Sequence, residues 1–183
     1  GVEAVFSLAG EPVAQRWNPE VKRRIRDSRV IGTRNLVDGL KRAQTSPVLI
    51  SSSAIGYYGD RGDDVLTESS GPGKDFLAAV CIEWEREAIR AQEIGCRVAM
   101  LRTGIVLGNN GGALKQMATP FKAGVGGPVG SGRQWVSWIH IDDITELYVF
   151  LLQNTAMNGA VNGTAPNPLR NTDFAHALGH ALR

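Results

Sequence analysis

The sequence is poor in cysteine, has no long apolar run and carries no real excess of either charge. Only Cys81 and Cys96 occur, both in apolar surroundings and without a CxxC or Cys/His spacing. That argues against a disulfide framework or a metal site and fits a reducing cytoplasm. No apolar run approaches the ~20 residues a membrane span needs, and no charged-then-apolar signal opens the chain, so a soluble protein without a membrane partner is expected. The 20 Lys and Arg nearly balance the 18 Asp and Glu, and the resulting +2 is dispersed. Composition therefore gives no argument for a nucleic-acid partner. The densest basic run, KRRIR at Lys22–Arg26, has helical spacing and reads as a solvated helix face. An initial methionine is also missing: the chain starts GVEAVFSLAG, inside a strand-like run, and reads as a fragment.

What is present is enough apolar residue for one core, 43% of 183, and a single domain over residues 1–183 is expected. Val2–Leu8 reads as a buried strand closing at Ala9-Gly10. Asn18 as N-cap and Pro19 at N1 open a long helix to about Ala43, with Val21, Ile25, Ser28, Gly32, Leu36 and Leu40 on its inner face. Pro47–Ser52 is a second buried strand. Asp75 caps a second helix whose stripe runs Leu77, Val80, Cys81, Trp84, Ala88 and Ala91, ended by Gly95. Cys96–Gly108 is a third strand, apolar throughout as in sheets buried on both faces. Ala113–Ala123 is helical, QWVSWIHI alternates like a strand, Asp142 caps a helix through Gln153, GAVNGT is a short strand, and Asn171 opens a last helix. This alternation predicts a parallel α/β sheet with right-handed crossovers and ligands at the strands' carboxyl ends. Those ends are Ala9-Gly10, Ser51–Ser53 and Thr103-Gly104.

The segment LISSSAIGYYG, Leu49–Gly59, carries the densest chemistry. A serine hydroxyl at a strand end can donate to a substrate oxygen or close a local turn. Tyr57 and Tyr58 are phenols that act as acids only when a cation or cofactor lowers an ordinary pKa near 10. ESSGPGKD lacks the glycine five residues before Gly73 that a phosphate loop requires, since position 68 is Glu68. GNNGG at Gly108–Gly112 lacks the GxGxxG spacing and reads as a turn plus a helix start. In WIHIDD, His140 and Asp142 are two candidate metal ligands without a third, so His140 reads as an interior hydrogen bonder and Asp142 as a cap. His176 and His180 fall on the solvent face of the last helix, and no Ser/His/Asp triad can be assigned.

Taken together, SLAG, SRVIGTRNL, ISSSAIGYYGD with LTESSGPG, LRTGIVLG, GSGRQWVSWIHIDDI and RNTDFAHALGHAL stand in an order that resembles extended short-chain dehydrogenase/reductases, in the atypical epimerase-like branch related to nucleotide-sugar epimerases. The resemblance covers nearly all of the chain. It implies a doubly wound, Rossmann-like parallel sheet lacking its first β-α-β nucleotide-binding unit, with part of a small substrate-binding region. It also implies NAD(P) as cofactor, NADP favoured, and a sugar, nucleotide-sugar or small carbonyl compound as substrate. By position, Leu8, Ala9 and Gly10 would pass beside the cofactor, as would Ser51, and Arg29, Gly32 and Thr33 would lie on the supporting helix. Ser53 would match the catalytic hydroxyl. Gly104, Ile105 and Val106 would flank the nicotinamide, and Arg133 would clamp an anionic substrate group by bidentate geometry.

One departure matters. The superfamily's YxxxK pair, in which the lysine lowers the tyrosine's pKa, falls on Phe76 and Val80. Neither can move a proton, so Tyr57 or Tyr58 is expected to serve as substitute acid/base beside Ser53. The alternative is a non-catalytic dinucleotide-binding protein that senses redox state or controls a partner. Leu77, Cys81 and Trp84 could form a homodimer contact, although core packing accounts for them equally. A sheet without its first three strands exposes an edge, which predicts self-association. A monodisperse monomer in size exclusion with light scattering would contradict that expectation.

Overall fold

A computed structural model describes residues 1–109 and 111–182. The chain divides into two compact units, Gly1–Arg102 with Tyr148–Asn162, and Thr103–Leu147 with Gly163 onward. The first is built on a four-stranded sheet of order β1-β2-β3-β7. Its strands are β1 Ala4–Ser7, β2 Val48–Ala54, β3 Val98–Thr103 and β7 Gly159–Gly163. β1 and β2 are parallel, from Ala4 opposite Val48 to Ser7 opposite Ser51. This is the α/β, Rossmann-like arrangement that the element order predicts. β1 lies at the sheet edge, however, and its Phe6 is 41% exposed, so it is not the fully buried strand its apolar run suggests.

Helix α1, Pro19–Arg42, starts as its sequence dictates: the Asn18 side chain accepts from the Val21 N–H at 2.8 Å, and Pro19 occupies a position that needs no donor. Its buried face is Val21, Ile25, Val30, Thr33, Val37 and Leu40. Gly32 is exposed and meets nothing, so it does not lie on the inner face as expected. A 24-residue helix turns its contact stripe gradually, and past Ile25 the β-branched Val30, Thr33 and Val37 take the inner positions. Helix α2, Phe76–Ile89, is capped by Asp75, which accepts from the Ala78 N–H at 2.9 Å. A 3-10 turn, Arg90–Ile94, follows it, and left-handed Gly95 closes that turn.

The first unit's core joins Val37 and Leu40 of α1, Leu49 of β2, Ala88 of α2 and Val98 and Met100 of β3. Leu49, Ile50 and Leu101 are fully buried, each contributing roughly 1.5–3 kcal/mol relative to exposure. Where α1 meets α2, the Trp84 indole N–H donates to Thr33 Oγ1 at 2.9 Å, both side chains buried. Around that contact Arg34 and Arg90 both bind Glu87, and Arg90 also binds Asp38. The hydrogen bond from Arg34 is the main cause holding Glu87 below the ordinary carboxylate range. Trp84 and Cys81 are each 4% exposed inside this packing, so they are core residues and not the dimer contact considered from sequence.

In the second unit, β4 Ile105–Leu107 runs parallel to β6 Trp138–His140, and β5 Trp135–Val136 is antiparallel to β8 Leu169–Arg170. Helices α3 Gly112–Lys122 and α5 Asn171–Ala181 pack with Val136, Phe174 and Leu178 at the centre. Helix α4, Ile141–Gln153, has residues 141–147 in this unit and 148–153 in the first. The single strand expected over Cys96–Gly108 is in fact β3 and β4, interrupted at Gly104. There the backbone runs so close to Ser137 that a Cβ would sit 2.6 Å from its carbonyl oxygen. QWVSWIHI is likewise two strands, because β5 and β6 pair with different partners. Of GNNGG, Asn110 lies outside the described residues, and α3 begins at Gly112.

The roles expected in WIHIDD are not those found, for His140 is not interior and Asp142 is not the cap. His140 is exposed, and its Nδ1 accepts the Asp142 N–H at 3.2 Å, while Asp142 already lies in the first turn of α4. His176 and His180 are exposed on α5, as the spacing predicts. Among the described residues, no helix is long and apolar enough to cross a membrane. Replacing Thr33 by Val removes the acceptor of the buried Trp84 N–H without changing volume. It should lower the unfolding free energy by about 1–3 kcal/mol in a urea titration.

Candidate functional site

Ser53 and Tyr58 are brought together, but through two charged residues that sequence reasoning passed over. β2 runs directly into a 3-10 turn, Ile55–Tyr58, so the serine and both tyrosines leave one strand end within six positions. Arg102, the penultimate residue of β3, is 4% exposed, and Glu85, in the middle of α2, is 7% exposed. They form a two-pronged ion pair: Arg102 Nε donates to Glu85 Oε1 and Nη2 to Oε2, each at 2.8 Å. Ser53 Oγ donates to the same Oε1 at 2.6 Å. From its other end, Arg102 Nη1 donates to the Tyr58 hydroxyl at 3.0 Å and to the Glu68 carbonyl at 3.2 Å. The Tyr58 hydroxyl in turn donates to Asn162 Oδ1 at 2.6 Å.

The electrostatics follow from this closure. Burial is the largest influence on Arg102 and works against its charge, but its bonds to Glu85 and Tyr58 together outweigh burial and raise its pKa. An unpaired buried charge would cost several kcal/mol. Here every partner is supplied, and among the described residues no buried side-chain nitrogen or oxygen lacks a hydrogen bond. Nearby, burial first and then the Glu85 carboxylate push the Cys81 thiol up to about 11.

The two tyrosines differ. Tyr58 is 3% exposed, and its hydroxyl both accepts and donates within the network. Tyr57 is half-buried, lies with its ring centroid 3.5 Å from the Arg102 guanidinium carbon, and meets Tyr58 edge-on at 5.3 Å. Its hydroxyl takes no part in the network. The turn is held from outside by Gly73, whose N–H donates to the Tyr57 carbonyl at 2.8 Å. A side chain at Gly73 would come within 2.7 Å of Gly59 Cα, so the GPG dismissed as a phosphate loop serves close backbone packing.

The positions matched to YxxxK have other occupations. Phe76 packs edge-on against Trp17 with Lys22 above both rings, and Val80 is 2% exposed in the core. At the end of β1, Leu8, Ala9 and Gly10 are exposed. Arg29 donates to the Glu11 carbonyl at 3.0 Å, and a side chain at position 10 would meet its guanidinium at 2.9 Å. Ser28 Oγ accepts the Glu11 N–H, so α1 fixes the course of this strand end. Ser51 is 1% exposed with its hydroxyl on the Ser52 carbonyl, which leaves its side chain inside the sheet. Ser52 points to the opposite face and pairs with the Tyr148 hydroxyl at 2.7 Å.

In the second unit, Gly104 N–H donates to the Gly163 carbonyl and Ile105 N–H to that of Ser137, which fixes the backbone at the start of the Gly104, Ile105 and Val106 run. Arg133 is exposed, and its guanidinium makes no ion pair among the described residues. A cavity of about 600 Å³ in the same unit is lined by Phe121, Pro128, His176 and His180 among others.

Glu85, Arg102, Glu68 and Asn162 were missed from sequence. The available signal was the pattern: Glu85 interrupts an apolar helix stripe, and Arg102 interrupts an otherwise apolar strand. Opposite charges on two buried faces imply each other.

Residues 1–162 match the family described as NAD dependent epimerase/dehydratase. A chloroplastic homologue of the epimerase family protein SDR39U1 from Arabidopsis thaliana is 46% identical over 185 residues, covering 100% of this chain and 53% of that protein. An epimerase family protein of Mycobacterium bovis is 40% identical, covering 99% and 60%. Among solved structures, human epimerase family protein SDR39U1 (isoform 2) with NADPH superposes with a TM-score of 0.90 at 32% identity, over 100% of this chain and 63% of that one. The nucleoside-diphosphate sugar epimerase of Corynebacterium glutamicum gives 0.86 at 40% identity, over 98% and 38%. The chain thus spans a little over half the length of these curated relatives.

With its pKa pushed up to about 11, Cys81 should remain a thiol at neutral pH and become reactive only toward that value. Iodoacetamide labelling of the folded chain should spare Cys81 at pH 7.5 and proceed after unfolding. Rapid labelling of folded protein at pH 7.5 would contradict the burial argument.

Proposed function

This chain belongs to the NAD dependent epimerase/dehydratase family, and from that premise we propose that it carries the catalytic turn of an NAD(P)-dependent epimerase or oxidoreductase acting on a sugar, nucleotide-sugar or small carbonyl compound. The observation that carries the reading is the Ser53, Tyr57, Tyr58 cluster at one strand end, organised by a buried ion pair.

The residues present fit one part of a dinucleotide site. Leu8, Ala9 and Gly10 offer exposed backbone at the carboxyl end of β1, which α1 holds in place through Arg29 and Ser28. The human relative's structure holds NADPH, which supports NADP as the cofactor proposed for this chain. A nicotinamide bound there would supply the hydride exchange. The chain's own residues do the rest. Ser53, 4% exposed with its proton committed to Glu85, is the hydroxyl that would accept from a substrate hydroxyl, and a tyrosine of the turn would exchange a proton with the reacting oxygen. Arg133, exposed and without an ion pair among the described residues, is the candidate for an anionic substrate group. Two buried free thiols fit a reducing compartment such as the cytoplasm.

A second reading has its own support: Phe76 and Val80 are packed as hydrophobes, so the chain binds the dinucleotide without turnover. Titrating NADPH and NADH into the chain extended upstream through the glycine motif, followed by dihydronicotinamide fluorescence, should show binding with NADPH the tighter. Substrate screening with Tyr57→Phe and Tyr58→Phe should then show turnover falling about 10²–10⁴-fold in one of them. Dinucleotide binding with turnover unchanged in both variants sinks the tyrosine mechanism, and binding without any turnover selects the second reading.

A further inference from the structure

We propose that Arg102 is the positioning cation of this site and that Tyr57, stacked on its face, is the phenol it serves, in place of the lysine and tyrosine of the YxxxK pair. The inference rests on the reading above that a tyrosine of this turn exchanges the proton, and it decides which one.

Arg102 is immobilised. Nε and Nη2 are held by Glu85, and Nη1 by the Tyr58 hydroxyl and the Glu68 carbonyl. A guanidinium engaged in this way cannot swing out to a ligand, so it acts through the groups that touch it. Its hydrogen bonds all lie in the guanidinium plane, which leaves the two faces for stacking. One face is taken by Tyr57 at 3.5 Å. Tyr58 is the poorer candidate, because it is buried and both hydrogen-bonding capacities of its hydroxyl are consumed by Arg102 and Asn162. Tyr57 is half-buried with its hydroxyl outside the network.

The groups that Tyr57 and Arg102 share come from four elements. Arg102 comes from β3, Glu85 from α2, Tyr58 from the turn itself, and Glu68 from the following loop, where its carboxylate accepts the Asn162 N–H. Glu85 offsets part of the cation's charge, but it sits at the guanidinium's edge while the ring lies against its face. Water screens the pair little at this burial. When the phenol O–H bond breaks and the proton forms a new bond to the substrate oxygen, with the hydride coming from reduced nicotinamide, the negative charge left on Tyr57 is stabilised by the stacked guanidinium. In the opposite direction the same charge accepts the substrate's proton.

In the full protein, Arg102→Lys, which keeps the ion pair but cannot lie flat on the ring, should lower kcat about tenfold with KM little changed, and should lower it no further in a Tyr57→Phe background. A near-UV circular dichroism spectrum like the parent's shows that the variant folds. Loss confined to the Tyr57 background supports the assignment, while an equal fall in both backgrounds, or none in either, overturns it. Turnover of Tyr57→Phe alone tests the underlying reading separately: full turnover there defeats the acid/base reading whatever Arg102→Lys does.

Discussion

The Glu85–Arg102 ion pair is the constraint on which the candidate site depends. Two buried charges are tolerated only when their geometry and remaining hydrogen bonds are supplied together. Here the supply comes from the catalytic candidates themselves. Ser53 completes the carboxylate and Tyr58 completes the guanidinium. Fixing the pair therefore fixes β2's end against α2 and β3. Tyr57 then has one flat surface on which to lie. A hydrophobic substitute for the pair would keep α2 packed on the sheet but leave the two hydroxyls without direction.

The surrounding fold supplies rigidity to this point. The parallel sheet places the carboxyl ends of β1 and β2 side by side. Capping at Asn18 and Asp75 sets where α1 and α2 begin, and the Thr33–Trp84 hydrogen bond locks them together. The Gly59–Gly73 approach closes the loop over the tyrosine turn without a side chain between. Each of these is a local rule of the chain, and together they leave the turn little conformational freedom.

Much of the fold was legible in the sequence, because α1, α2 and β2 carry strong periodicity and caps. The family resemblance, resting on motifs such as GSGRQWVSWIHIDDI, agrees with the family match over residues 1–162. Where the sequence misled, tertiary approach had overridden pattern. Gly104 and Ser137 break apolar runs because strands change partners there, which periodicity does not record. His140 lies in an alternating run yet is exposed, and it serves as an acceptor for the start of α4. Of the site, the hydroxyls of Ser53, Tyr57 and Tyr58 could be read from LISSSAIGYYG. Glu85 and Arg102 could not be read by proximity, since they lie 17 positions apart and pair across a helix and a strand.

The claim that this pair is the organising element is tested most directly by a double-mutant cycle on unfolding free energy, using Glu85→Met, Arg102→Met and the two together. Each single change should cost about 3–5 kcal/mol by leaving one buried charge unpaired, and the double variant should cost far less than their sum. Additive losses, or single variants as stable as the parent, would contradict the account.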